Sequence, residues 1–246
     1  MDQLGYRMKF GVVGPSTNTI VQPDMDDMRP VGVTNHYSRI EVPEAPVGSN
    51  EDFVKLVDTI QANTLKAIDL LRTCGMQHMV MGMSATTFWN GRKGAEAYLQ
   101  IMRERAGVEV SCGSFATEAA LRAYGAKRIA FFSPYYEVAN AQVRRFYEDC
   151  GFEVVRDVAL ERPSPVQIAY TTTEMCRHAI RQLDGDDVDA IVQVGTNLSM
   201  VRFAAAAELF LGKPVIAINT ATYWHALRAV GIQDHIANFG RLLAEH

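Results

Sequence analysis

Four short stretches of the chain combine a glycine or proline with hydroxyl and amide side chains. They are Pro15-Ser16-Thr17-Asn18-Thr19, Gly82-Met83-Ser84-Ala85-Thr86-Thr87, Pro134-Tyr135-Tyr136 and Gly195-Thr196-Asn197-Leu198-Ser199. Each follows an apolar run. Hydroxyls and amides with few cations suit a small carboxylate, whereas a phosphate calls for Lys, Arg or a glycine-rich cradle. Glycine lets backbone N–H groups approach a ligand, and the start of a following helix favours an anion. Neither G-x-x-x-x-G-K-[ST] nor G-x-G-x-x-G occurs, which sets nucleotide binding aside. Taken singly, each stretch also reads as a set of helix caps. Four of them in repeated positions favour a site.

The other candidates are weaker. Cys74, Cys112, Cys150 and Cys176 form no C-x-x-C pair and have no His at zinc-ligand spacing. They read as free, packed thiols. Cys112 precedes Gly113-Ser114 at a helix start, a setting expected to lower a thiol pKa. His225 is expected to begin or cap the last helix beside Trp224, where an acid/base role competes with a structural one. The remaining histidines, His36, His78, His178, His235 and His246, form no metal-spaced set. Ser84 and Thr196 have no His–Asp pairing legible from spacing.

Positioning these stretches requires strands that end at them. Apolar runs at Phe10–Val13, Tyr37–Val42, His78–Met81, Val108–Cys112, Ile129–Phe132, Phe152–Ala159, Ala190–Val194 and Val215–Ile218 read as strands. Helices are expected at Glu51–Arg72 with Asn50 as N-cap, then at Arg92–Arg105, Ala116–Tyr124 and Val138–Cys150. Further helices are expected at Val166–Leu183, Ala204–Leu211 and Tyr223–Val230. Strands alternating with helices imply an α/β fold with parallel sheets.

The chain also repeats itself. Ala120-Leu121-Arg122-Ala123-Tyr124-Gly125 returns as Ala226-Leu227-Arg228-Ala229-Val230-Gly231. Upstream, Val80-Met81-Gly82-Met83-Ser84 resembles Gln193-Val194-Gly195-Thr196-Asn197, and Val13-Gly14-Pro15-Ser16 resembles Phe132-Ser133-Pro134-Tyr135. Three motifs recurring in one order imply two similar Rossmann-like lobes related by a pseudo-twofold. The expected division is residues 1–114 plus 219–246 for the first lobe and 115–218 for the second. Ligands of open parallel sheets bind beyond the carboxyl ends of the strands, so facing lobes would gather all four stretches in one cleft.

Composition agrees with a globular protein. The 246 residues are 48% hydrophobic and 21% charged, enough for a substantial core. Twenty-four Lys and Arg against 28 Asp and Glu give a net charge of −4 without a basic run, so no nucleic-acid partner is expected. No apolar stretch approaches a membrane span, and the N-terminus has no signal-like apolar core. The expectation is a cytoplasmic protein with no membrane partner.

Taken together, these motifs resemble the aspartate/glutamate racemase superfamily, in the branch holding maleate cis–trans isomerases and arylmalonate decarboxylases. The resemblance rests on Val12-Val13-Gly14-Pro15-Ser16-Thr17-Asn18, on Met81-Gly82-Met83-Ser84 followed by Phe88-Trp89-Asn90-Gly91, and on Pro134-Tyr135. It extends through Asp189-Ala190-Ile191-Val192 to Gly195, then Pro214–Ile218 before Tyr223-Trp224-His225. It implies two α/β lobes with the site between them, no metal or organic cofactor, and homo-oligomers. It also implies a cysteine in each lobe for racemases and maleate isomerases, and only the second for the decarboxylases. The corresponding positions here are Gly82 and Gly195. Thiol-based racemisation, isomerisation and protonation therefore lose their expected groups.

What the resemblance leaves is anion-binding equipment. Ser16, Asn18, Ser84, Tyr135 and Thr196 would hydrogen-bond a carboxylate or a developing oxyanion. Pro15, Thr17, Met83, Tyr136 and Asn197 complete the expected wall, with Met83 in place of a hydroxyl residue of the decarboxylases. The reading is a cofactor-independent enzyme acting on a small carboxylate or dicarboxylate through an enediolate-like oxyanion, of decarboxylase or lyase type. Its rivals are a hydrolase using the same donors on an amide or ring substrate, and a non-catalytic carboxylate-binding paralogue.

Overall fold

A computed structural model describes residues 2–246. Its strands are β1 (Met8–Pro15), β2 (Val33–Ile40), β3 (His78–Met81), β4 (Val110–Cys112), β5 (Arg128–Ser133), β6 (Glu153–Ala159), β7 (Ala190–Gln193) and β8 (Val215–Ala217). They form two four-stranded parallel sheets of identical order, β2-β1-β3-β4 and β6-β5-β7-β8. The α/β class and the two-lobed repeat are therefore as expected. β1 matches β5 and β3 matches β7, the pairs whose end motifs recur in the sequence.

The first sheet carries α1 (Val21–Asp27), α2 (Asn50–Arg72) and α3 (Gly91–Ala106), and the chain leaves it through α4 (Gly113–Ala123). After the second sheet's α5 (Glu137–Asp149), α6 (Thr173–Leu183) and α7 (Val201–Leu211) comes α8 (Ile218–Ala229), then the short α9 (Arg241–Glu245). α8 returns to pack on β3, β4 and α4. Helices α4 and α8, the two copies of the repeated Ala-Leu-Arg-Ala motif, thus lie side by side.

Local chemistry explains the boundaries. Ser49 Oγ accepts from the Asp52 N–H at 3.1 Å and caps α2. Glu51 and Asp52 occupy the first turn of α2 and Arg72 the last, as its dipole favours. Its buried stripe is Phe53, Val57, Ile60, Thr64, Ala67, Ile68 and Leu71. Asn50, expected as the cap, instead accepts from Val138 N–H at 3.0 Å and fastens the second half of the chain.

Three other expectations are corrected. The helix expected over 166–183 is two pieces: a 3-10 turn at Val166–Tyr170, then α6, which Thr172 caps by accepting from Met175 N–H at 3.3 Å. The last long helix starts five residues early, directly at Ile218, so His225 lies in its interior. Cys112 is buried, and burial pushes its thiol pKa up rather than down. The Cys112 side chain meets no charge close enough to offset desolvation.

Candidate active site

In each sheet the order reverses between the two central strands. The connections after β1 and β3, and after β5 and β7, leave toward opposite sides and open a crevice. One cavity collects those four ends. It is lined by Pro15, Thr17 and Asn18 after β1, Met83 after β3, Tyr135 after β5, and Gly195, Thr196 and Asn197 after β7. Its other wall is apolar: Val42, Phe53, Leu56 and Ile60 from the first half, Pro165 and Ile168 from the second. No Asp, Glu, Lys, Arg or His is among its lining residues.

The polar groups are organised across the seam between the halves. Asn18 Nδ2 donates to Thr196 Oγ1 at 3.0 Å, and Thr196 Oγ1 donates to the Gly82 carbonyl at 3.0 Å. Ser84 Oγ and Tyr135 OH pair at 2.7 Å, both buried. Asn197 Oδ1 accepts from Thr19 N–H at 3.0 Å, and its Nδ2 donates to Pro165 O at 2.9 Å. Burial pushes the Tyr135 pKa well above its ordinary value, with Ser84 opposing the shift, so the phenol is protonated at neutral pH.

Backbone carbonyls of the loop after β7 are bonded by residues that do not line the cavity. Gly195 O accepts from Gln193 Nε2 at 2.8 Å and Leu198 N–H at 3.2 Å. Thr196 O accepts from Asn219 Nδ2 at 3.0 Å. In a trans peptide the N–H points opposite to the C=O. The N–H groups of Thr196 and Asn197 are thereby turned the other way, and among the described residues neither has a protein acceptor. Met83 N–H, across from the Gly82 carbonyl that Thr196 engages, is likewise free. Successive N–H groups presented together make a concavity for an anion.

Not every expected residue lines this cavity. Ser16 Oγ donates to Val42 O at 3.1 Å and accepts from Val42 N–H at 3.0 Å, tying the end of β1 to the segment after β2. Tyr136 OH donates to Val47 O at 2.6 Å and secures the connection between β2 and α2. Ser84 stands behind Tyr135, and Gly82 contributes its carbonyl to Thr196. Phe53, Leu56 and Ile60 fall near helical spacing within Glu51–Arg72, and periodicity reports an apolar face but not what it meets. Asn219 belongs to no motif, and the repeated motif that contains Gln193 gives no sign of its role.

The two glycines at the expected thiol positions differ. Gly195 has φ +111°, and a Cβ there would come within 2.5 Å of Pro134 Cδ. Gly82 lies outside the left-handed region, and a Cβ would sit 3.1 Å from Val13 O and Val21 Cγ2.

Comparisons with known proteins agree with the fold. The family model described as arylmalonate decarboxylase matches residues 37–243. A maleate isomerase of Alcaligenes faecalis is 22% identical over 252 residues, covering 96% of each chain. Among solved structures, a Nocardia farcinica maleate cis–trans isomerase superposes with a TM-score of 0.88 at 21% identity, over 97% of this chain and 99% of that one. That structure is a serine-for-cysteine mutant with a covalently bound succinylcysteine intermediate. An arylmalonate decarboxylase superposes with a TM-score of 0.74 at 21% identity, over 97% of this chain and all of that one, 100%. With a family model spanning most of its length, this chain belongs to the arylmalonate decarboxylase family, whose matched relatives here are isomerases and lyases.

Proposed function

We propose that the chain is a cofactor-independent lyase that removes carbon dioxide from a small substituted malonate through an enediolate. The observation that carries this reading is the two-sided cavity: Met83, Thr196 and Asn197, whose N–H groups are unpaired among the described residues, on one wall, and Val42, Phe53, Leu56 and Ile60 on the other. The retained carboxylate lies against the donors. The departing carboxylate faces the apolar wall, where loss of solvation opposes its charge. Breaking the carbon–carbon bond releases neutral carbon dioxide. The electron pair passes to the α-carbon and into the retained carboxylate. Preorganised donors stabilise the resulting enediolate, each contributing roughly 10²–10³-fold in comparable sites. A proton from water then adds to the α-carbon.

Thiol addition to maleate has no nucleophile here, because Gly82 and Gly195 stand where the resemblance expects cysteine. This favours decarboxylation over cis–trans isomerisation. The test is proton NMR in D₂O with EDTA, using maleate, substituted malonates, hydroxy-dicarboxylates and cyclic amides. The expected result is consumption of a malonate with deuterium at the α-carbon of a monocarboxylate product. Conversion of maleate to fumarate, or a ring-opened product without malonate turnover, refutes the assignment.

A further inference from the structure

Asn197 lines the cavity and its N–H has no acceptor among the described residues, yet the group that bonds the carbonyl of its peptide is outside the cavity. Asn219, at the start of α8, is buried. Both hydrogens of its amide are used: Nδ2 donates to Thr196 O at 3.0 Å and to Asp24 Oδ2, on α1, at 2.8 Å. Its Oδ1 is buried with no partner among the described residues. A side chain whose donors are both engaged while its acceptor is idle is held there for its donors.

We infer that Asn219, locked by Asp24, is a positioning residue that holds the Thr196–Asn197 peptide with its N–H turned into the cavity. The inference rests on the lyase reading for its catalytic consequence, but not for its geometry. An ionised Asp24 accepts only, so it fixes which end of the Asn219 amide faces it. The second hydrogen is then aimed at Thr196 O. Turning the amide over would set its oxygen against the carboxylate and the Thr196 carbonyl, two acceptors. A protonated Asp24 removes the first of these two constraints and leaves the Thr196 carbonyl alone to hold the amide. Its O–H can donate to an inverted Asn219 amide, and Thr196 O then loses its donor.

Desolvation raises the Asp24 carboxyl to about 6, and donation from Asn219 opposes that rise. The charged groups facing Asp24 are Asp27 on its own helix, which raises its pKa, and Arg202 on α7, which lowers it. Arg202 is itself paired with Asp27 at 2.8 Å. The lock is therefore tighter above about pH 6 than below it.

The test uses the ¹⁵N-labelled full chain with the Asn197 amide assigned, followed from about pH 4.5 to pH 8, a range that brackets this carboxyl and ordinary histidines. In the wild type the Asn197 resonance should move with one midpoint near 6. In Asp24→Asn and in Asn219→Ala it should stay flat across that range. A flat wild-type resonance, or the same titration in Asp24→Asn, overturns the inference. With a malonate that is turned over, Asn219→Ala should lower kcat about tenfold with KM changed less than about threefold, the split expected for a transition-state donor. An equal rise in KM with kcat unchanged also overturns it. If no malonate is turned over, the lyase reading has failed, while the amide titration still decides the positioning role.

Discussion

Replacing Gly195 with alanine tests whether the backbone at the second loop has become closed to any side chain. At φ +111° an L-residue is strained, which costs about 1–3 kcal/mol. The added Cβ also meets the Pro134 ring at 2.5 and 2.7 Å. Relieving that overlap costs a further ~1–3 kcal/mol. The expected destabilisation is their sum, about 2–6 kcal/mol, or roughly 5–20 °C in melting temperature for a chain of this size. Urea denaturation of Gly195→Ala, Pro134→Ala and the double variant separates the two contributions. Removing the proline ring should return the overlap part, giving a coupling energy of about 1–3 kcal/mol, while the φ strain persists. A single variant within about 0.5 kcal/mol of wild type, or strictly additive effects, would refute the reasoning. The same numbers forecast that cysteine cannot be restored at 195 without changing Pro134. At Gly82, outside the left-handed region, the nearest contacts are 3.1 Å, so a side chain there requires its neighbours to shift by only a few tenths of an ångström.

Other outcomes follow from buried pairs. His78 Nε2 and His225 Nδ1 both bond Ser111 Oγ, at 2.9 and 2.8 Å, inside the first lobe. Desolvation, with His225 and Arg103 adding repulsion, pushes the His78 pKa down to about 4. Its folded pKa is below the unfolded value, so the stability is whole above about 6.5 and is lost as pH falls toward 4, by about 3 kcal/mol in all. Urea midpoints at both ends of that window should show a smaller loss in His78→Gln; an identical loss would exclude His78 as the source. Tyr135→Phe strands the buried Ser84 hydroxyl, and Ser84→Ala strands the Tyr135 phenol; each should cost about 1–3 kcal/mol. The double variant should recover part of the sum by the same denaturation assay, and no recovery would show that the hydroxyls are not paired.

Much of this architecture is legible in the sequence because strand ends here are marked by glycine and proline. Val13-Gly14-Pro15 and Ser133-Pro134 sit at the ends of β1 and β5, and Gly82 and Gly195 close to the ends of β3 and β7. The repeat then fixes which ends correspond. Harder to read are elements whose local propensity opposes their structure. The start of α8 contains Asn219, Thr220 and Thr222, poor helix formers, and Thr222 Oγ1 bonds back to Ile218 O at 2.7 Å. α1 is short, carries Pro23, and is capped from a distance by Asn18 Oδ1, which accepts from Ile20 and Val21 N–H at 3.0 and 2.9 Å. Within the site, residues contributing a side chain were easier to find than those contributing a backbone direction. Gln193 and Asn219 act on carbonyls, and no pattern of residue types announces that.

The bonds that close the cavity join parts of the chain far apart in sequence. Asn18 meets Thr196 across 178 positions, and Thr196 meets Gly82 across 114. Each lobe can assemble its own sheet from neighbouring segments, but these contacts await the docking of two nearly finished halves. Long-range closures of this kind cost chain entropy before they return any gain, and so form late. The site is therefore the last region to acquire its native order and the first to surrender it. In kinetic terms, Thr196→Val, which removes only the two seam bonds of that hydroxyl, should leave the refolding rate nearly unchanged and hasten unfolding, the signature of an interaction absent from the transition state. Stopped-flow measurement of both limbs would show it, and a slower refolding limb would place the seam in the folding nucleus instead. A pocket assembled on that schedule can be retuned by substitution while the two lobes fold at their own pace.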